Sequence, residues 1–172
     1  MVRLQIGDII GYKPEVTSSW IAAMVKLGAK QRYTHVMLYL GNNEIIEAGE
    51  KGIGIRKLPT LNEEDFSVKR VNWTLSRAKK DKLKKVALSH LGQPYAFHQG
   101  LYLFLYKWFK NNKYVKWLLK ILFKVDGKYF LNCSEFISRV YDEAVGVDLS
   151  LELHDFTAPD DIMESSLLKR IY

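Results

Sequence analysis

The chain has 172 residues, 48% of them hydrophobic, enough for one domain with a real core, and its net charge of +7 favours anionic partners such as a phospholipid surface, an acidic polymer or nucleic acid. No uncharged stretch approaches the length of a membrane-spanning helix, and Met1 to Asp8 contains no apolar run of signal-peptide length, so a soluble cytoplasmic protein is expected, with peripheral membrane contact the only membrane role left open. A single cysteine excludes an internal disulfide and agrees with a reducing compartment.

The first segment, Ile6 to Tyr12, reads as a short apolar strand bounded by glycines. Val16 to Leu27 has helical spacing of Trp20, Ala23, Met24 and Leu27, with Thr17 or Ser18 as cap and Gly28 as stop. Thr34 to Leu40 is the clearest strand and turns at Gly41-Asn42-Asn43 into Glu44 to Ala48, a hairpin by composition. Further strands are expected at Gly52 to Leu58 and Ser67 to Trp73. Ala78 to Leu91 is then a lysine-rich helix with Leu83, Val86, Ala87 and Leu91 on one side, broken by Gly92-Gln93-Pro94-Tyr95. A basic aromatic stretch from Leu101 to Val125 follows, then a helix beginning near Cys133 and ending near Val145, and a last short helix after Pro159. Neither an internal repeat nor a domain boundary is evident across residues 1–172.

Cys133 sits in Leu131-Asn132-Cys133-Ser134-Glu135-Phe136, where a loop turns into a helix. The unsatisfied N–H groups and positive dipole end of a helix N-terminus favour a thiolate, so a cysteine there is suited to nucleophilic attack. The alternative is a small apolar residue packed in the core. The hairpin bears on the choice, because side chains alternate across a sheet and the turn decides whether Glu47 can reach His35. A two-residue loop at Gly41-Asn42 pairs Val36 with Glu47 and sends the carboxylate to the face opposite the imidazole. A three-residue loop centred on Gly41 pairs His35 directly with Glu47, where the carboxylate could orient the ring and stabilise imidazolium. Taken alone, His35 reads as a strand histidine with a satisfied hydrogen bond and Glu47 as an exposed strand carboxylate; the combination points to cysteine, histidine base and polar orienter.

Gly7-Asp8-Ile9, Thr34-His35-Val36, Ile46-Glu47-Ala48, Gly92-Gln93-Pro94-Tyr95, Asn132-Cys133-Ser134-Glu135-Phe136 and Ala158-Pro159-Asp160-Asp161-Ile162 together resemble the circularly permuted branch of the NlpC-type papain-like cysteine peptidases, the YiiX-like proteins. The resemblance spans nearly the whole chain, and order is its most specific feature, since His35 and Glu47 precede Cys133. It implies an α+β, permuted papain-like fold, with a small antiparallel sheet packed against helices that include the cysteine helix. It also carries over Cys133 as nucleophile, His35 as general base and Glu47 as orienter. Tyr95 matches a tyrosine that lies beside the nucleophile in many relatives, and Tyr12 joins it as a substrate-binding candidate. The lecithin retinol acyltransferase-like proteins share the permuted order and the Asn-Cys pair, but usually place a histidine where this chain has Glu47, and Glu-His-Phe where it has Ser134-Glu135-Phe136. That departure favours the YiiX-like branch.

The expected activity is that of a thiol hydrolase, a peptidase or amidase, on a peptide-, amide- or acyl-containing substrate. An acyl-lipid hydrolase or acyltransferase is the second reading and a non-catalytic ligand- or membrane-binding module the third. Lys110, Lys113, Lys116, Lys120 and Lys124 recur every three or four residues among aromatic and aliphatic neighbours, so Leu101 to Val125 is expected to be a basic amphipathic segment, either interfacial on an anionic membrane or core helix with a solvated lysine face. Nucleic acid is disfavoured as a partner. His90, His98 and His154 show no metal-ligand spacing with the lone cysteine, so neither metal nor cofactor is expected.

Overall fold

The computed structural model describes residues 3–13, 32–49, 51–94, 114, 132–150 and 157–172. Strands β1 (Ile9–Tyr12), β2 (His35–Gly41), β3 (Glu44–Gly49), β4 (Gly52–Lys57), β5 (Phe66–Val71) and β6 (Leu168–Arg170) form one antiparallel sheet in the order β4-β3-β2-β1-β5-β6. Among the described residues it is accompanied by helices α1 (Arg77–Ser89), α2 (Cys133–Val145) and α3 (Pro159–Met163). The protein is therefore of the mixed α+β class. The expected helix over Val16 to Leu27, Tyr95 and nearly all of Leu101 to Val125 lie outside the described residues; within the last, Tyr114 is helical and 86% exposed.

Strand alternation sorts the apolar side chains into two layers. Ile9, Val36, Leu38, Leu40 and Ile46 face Leu83 and Ala87 of α1 and Phe136, Ile137, Val140 and Tyr141 of α2 in the main core. Ile10, Met37, Ile45, Phe66 and Val68 form a smaller cluster on the other face, bordered by Tyr12, Tyr39 and Tyr172. Both faces are covered, which is why the central strands read as continuous apolar runs and not as alternating ones. Each fully buried aliphatic or Phe side chain contributes roughly 1.5–3 kcal/mol, so the helix layer over the sheet is the main source of stability.

Ser76 starts α1 by accepting the Lys79 N–H at 3.3 Å, and the four-residue spacing of Leu83 and Ala87 turns one face inward. The helix ends at Ser89, so Leu91 does not join that face and is 44% exposed. The Gly92-Gln93-Pro94 break has a further role: Ile53 N–H donates to the Gln93 carbonyl and Gly92 N–H to the Ile53 carbonyl, both at 2.9 Å, tying the end of α1 to the edge strand β4. Gly52 makes this possible, because it has φ +93° and a Cβ there would stand 2.5 Å from the Gln93 oxygen.

Long-range polar contacts close the structure. Asp8, 1% exposed, accepts two hydrogen bonds from Arg70, at 2.6 and 2.7 Å, and one from the Gln5 N–H at 2.7 Å, while the buried Tyr141 hydroxyl donates to the Gly7 carbonyl. Burial raises the Tyr141 phenol well above its ordinary value, the Asp8 charge adds to that, and Arg70 opposes it in part. Asp160 of α3 accepts the Arg32 and Tyr33 backbone N–H groups at 2.9 and 2.7 Å, pinning the chain immediately before β2. Strand β6 has no counterpart among the sequence-expected elements. Its three residues, Leu168-Lys169-Arg170, are too short and too charged to show a pattern, and pairing with β5 alone makes them a strand.

Candidate active site

The hairpin β2–β3 decides where Glu47 goes. The connection is a two-residue turn at Asn42 and Asn43, both with positive φ (52° and 62°), as a hairpin turn matched to strand twist requires. It pairs Gly41 with Glu44, a register that, carried down the strands, would set Glu47 opposite Leu38 and on the face away from His35. An extra β2 residue intervenes between the pairs Gly41↔Glu44 and Tyr39↔Ile45, forming a bulge, after which Leu38 pairs with Ile46. Continued by one residue, this register brings Met37 opposite Glu47, so Glu47 shares a face with His35 as its diagonal neighbour. The turn is thus neither the two-residue loop at Gly41-Asn42 nor the three-residue loop centred on Gly41, and His35 and Glu47 are diagonal neighbours and not direct partners; the bulge supplies the one-residue shift that brings them to one face. His35 Nε2 lies 2.8 Å from Glu47 Oε2.

The β2–β3 pairing stops at Leu38↔Ile46. Tyr39 exchanges backbone bonds with the β1 side, through Gly7 and Asp8, so alternation turns the N–H of Val36 toward β3, where no strand partner receives it. The Val36 N–H is oriented to favour the ionised Cys133 sulfur. His35 stands close enough to the thiol for each to shift the other's titration, and its Nε2 is engaged by Glu47. Cys133, 5% exposed, is the first residue of α2, and Asn132 caps the helix by accepting the Glu135 N–H at 2.8 Å. Ser134 Oγ lies 3.8 Å from the sulfur.

Electrostatics follows from this packing. Burial alone would push the Cys133 thiol up, but the His35 charge and hydrogen bond, the Val36 N–H and the Ser134 hydroxyl outweigh it and hold the thiol below its ordinary value. Burial alone would depress the imidazole; the charge and hydrogen bond of Cys133, joined by those of Glu47, reverse this and push His35 up to about 10. Glu47 is likewise opposed by burial and held below the carboxylate range by the hydrogen bond and charge of His35 and by the charge of Arg56. Cys133 and His35 each favour the charged form of the other, with the Glu47 carboxylate behind the imidazole.

Cys133, His35 and Glu47 are therefore brought together from α2, β2 and β3. Tyr12 pairs directly with His35 across β1–β2, with its ring against Phe66 at 5.1 Å between centroids. Tyr95 lies outside the described residues. His90 is occupied structurally, with Nδ1 3.0 Å from Gln93 Oε1 and its ring edge on Phe136. Arg56 of β4 is the residue that sequence reading missed: its Nε stands 2.7 Å from Glu47 Oε1. Only the strand order identifies it, because a lone arginine on an edge strand carries no spacing signature.

The chain matches no family model and no curated protein. The crystal structure of the metalloprotein YiiX from Escherichia coli O157:H7, DUF1105, superposes with a TM-score of 0.65 over 98% of this chain and 96% of its own, at 18% sequence identity. The two share a fold. YiiX is described as a metalloprotein, which prompts a test of this site. Among the described residues no group of three or more His, Cys, Asp and Glu is arranged to hold a metal ion. The donors that do meet are spent on one another, and the Arg56 cation at 2.7 Å from Glu47 would repel a second cation there, so this donor set does not fit a metal. Among the described residues, no helix is long and apolar enough to cross a membrane.

Asn132 should separate capping from chemistry. Asn132→Ala is expected to lower stability by about 1 kcal/mol through loss of the cap. Asn132→Asp should keep the cap but set a second negative charge beside the thiolate, raising the thiol's titration and slowing alkylation at neutral pH. Chemical denaturation and iodoacetamide kinetics measure the two effects.

Proposed function

We propose that the protein is a thiol hydrolase of permuted papain-like architecture that cleaves an amide bond through Cys133, His35 and Glu47. The observation that carries this reading is the junction of Cys133 at the N-terminus of α2 with an imidazole whose far nitrogen is 2.8 Å from a carboxylate. A structural cysteine needs neither a histidine on its sulfur nor a carboxylate behind that histidine.

In the proposed reaction the Cys133 thiolate attacks the carbonyl carbon of the scissile amide. The backbone N–H of Cys133, unpaired within the helix because it belongs to the first turn, donates to the developing oxyanion. The His35 imidazolium then gives its Nδ1 proton to the leaving amine, and the C–N bond breaks to leave a thioester. Neutral His35 next takes a proton from water as it attacks the thioester, releasing the acid and restoring the ion pair. Glu47 holds the ring through Nε2 throughout, stabilising imidazolium without itself accepting the proton.

A peptidyl probe with a thiol-reactive group is the direct test. Covalent labelling mapped to Cys133 by mass spectrometry, together with amide cleavage that disappears in Cys133→Ala, is the expected result. Acylation by activated esters with no amide cleavage would move the assignment to acyl transfer, and no labelling at all would leave Cys133 as a packing residue.

A further inference from the structure

We propose that Arg56 is a positioning residue of the thiol site, holding the Glu47 carboxylate so that its second oxygen meets His35. This rests on the reading of Cys133, His35 and Glu47 given above. The pairs Ile45↔Arg56 and Glu47↔Gly54 place Arg56 on the same face as Glu47, one diagonal step across β3–β4, just as His35 is one diagonal step across β2–β3. The carboxylate therefore bridges three adjacent strands. Its Oε1 meets Arg56 Nε at 2.7 Å and its Oε2 meets His35 Nε2 at 2.8 Å. The small Gly49 flanks this bridge, and a Cβ there would stand 3.6 Å from Arg56 Nη2 and 3.7 Å from Glu47 Oε1.

The exposures distinguish this pair from an ordinary surface ion pair, which is worth little. The Glu47 side chain is 11% exposed and that of Arg56 57%, so the arginine reaches in from the rim to a buried oxygen. A buried carboxylate oxygen without a partner favours protonation, and a protonated Glu47 could no longer stabilise the imidazolium. The charged groups that face Glu47 are His35 from β2 and Arg56 from β4, with the Cys133 sulfur beyond the imidazole. With Arg56 in place, both oxygens are fixed, the carboxylate stays charged, and one orientation of the imidazole is selected.

Arg56→Gln and Arg56→Lys, compared with wild type, provide the test. Carbon-13 NMR follows the Glu47 carboxyl titration, and iodoacetamide follows the pH dependence of Cys133. In Arg56→Gln the Glu47 titration and the acid limb of alkylation should both move to higher pH, and kcat on an amide substrate should fall about tenfold with little change in KM, the size of effect seen when a supporting partner of a site residue is lost. Arg56→Lys should restore most of each, and any fall in melting temperature in Arg56→Gln should be no more than the Glu47 shift itself implies, with the fold intact by circular dichroism. A wild-type thiol that is activated, with an unshifted Glu47 titration and unshifted acid limb in Arg56→Gln, overturns the role of Arg56 alone. A wild-type thiol that reacts like free cysteine overturns the site reading and the role of Arg56 with it.

Discussion

Replacing His35 with alanine should slow alkylation of Cys133 by iodoacetamide at pH 7 by about tenfold. In wild type the imidazolium, the Val36 N–H and Ser134 hold the thiol below its ordinary value of 9.0, so the reactive thiolate fraction is raised. Without His35 the burial penalty is left largely uncompensated and only a few per cent or less is thiolate at neutral pH. The gain is smaller than the change in thiolate fraction, because nucleophilicity falls as thiol pKa falls, with a Brønsted slope of about 0.4–0.5. Equal rates in wild type and His35→Ala, with the fold intact by circular dichroism, would assign Cys133 to packing.

The same pair sets a pH signature. Hydrolysis should lose its alkaline limb near pH 10, where His35 gives up the proton needed by the leaving amine, whereas alkylation should show no such loss because the thiolate persists. The sign for stability follows by linkage. His35 is raised, so its contribution is complete below 6.5 and lost as pH rises through about 10; Cys133 is lowered, so its contribution is complete above 9.0 and lost as pH falls through its folded value. Between 6.5, or the folded value of Cys133 where that is higher, and 9.0 the two slopes oppose each other, and folding to the ion pair takes up no net proton. The pair should thus support a stability plateau over that window, and the wild-type minus Cys133→Ser difference in unfolding free energy should decline on both sides of it.

Arg70→Met should be the most destabilising single change among the described residues outside the apolar core, at about 3 kcal/mol. Asp8 is 1% exposed and receives 2.6 and 2.7 Å hydrogen bonds from Arg70, so removing the guanidinium leaves a buried carboxylate with only the Gln5 N–H. The loss also strikes the start of β1, where Gly7 receives the Tyr141 hydroxyl from α2. Urea unfolding measures it, and Asp8→Asn with Arg70→Met should recover part of the loss, because a neutral amide is far cheaper to leave buried than a charge. A loss below about 0.5 kcal/mol in Arg70→Met, within the range of ordinary surface substitutions, would show that the pair is solvated and carries no structural weight.

Local chemistry written along the chain was sufficient for much of the architecture. The hairpin is marked by β-rich runs around Gly41-Asn42-Asn43, β4 and β5 lie at the strands expected from Gly52 and Ser67 onward, and α2 begins where the loop turns into a helix at Cys133. These features depend on neighbours a few residues away, so they survive reading in one dimension. The suggestion that Cys133, His35 and Glu47 act together came from residue types and the registers open to the hairpin, and the α+β class from the resemblance to the YiiX-like proteins.

What the tertiary structure alone decided is geometry at single-residue resolution. A bulge in β2 puts Glu47 on the face of His35, and a one-residue error in register would have put it on the other, an outcome no composition encodes. Arg56 became part of the site only through the strand order β4-β3-β2, and β6 became a strand only because β5 offered it an edge. Asp160 reaches back to the Arg32 and Tyr33 backbone for the same reason, since contacts across more than a hundred residues are fixed by packing and leave no periodic trace in the chain.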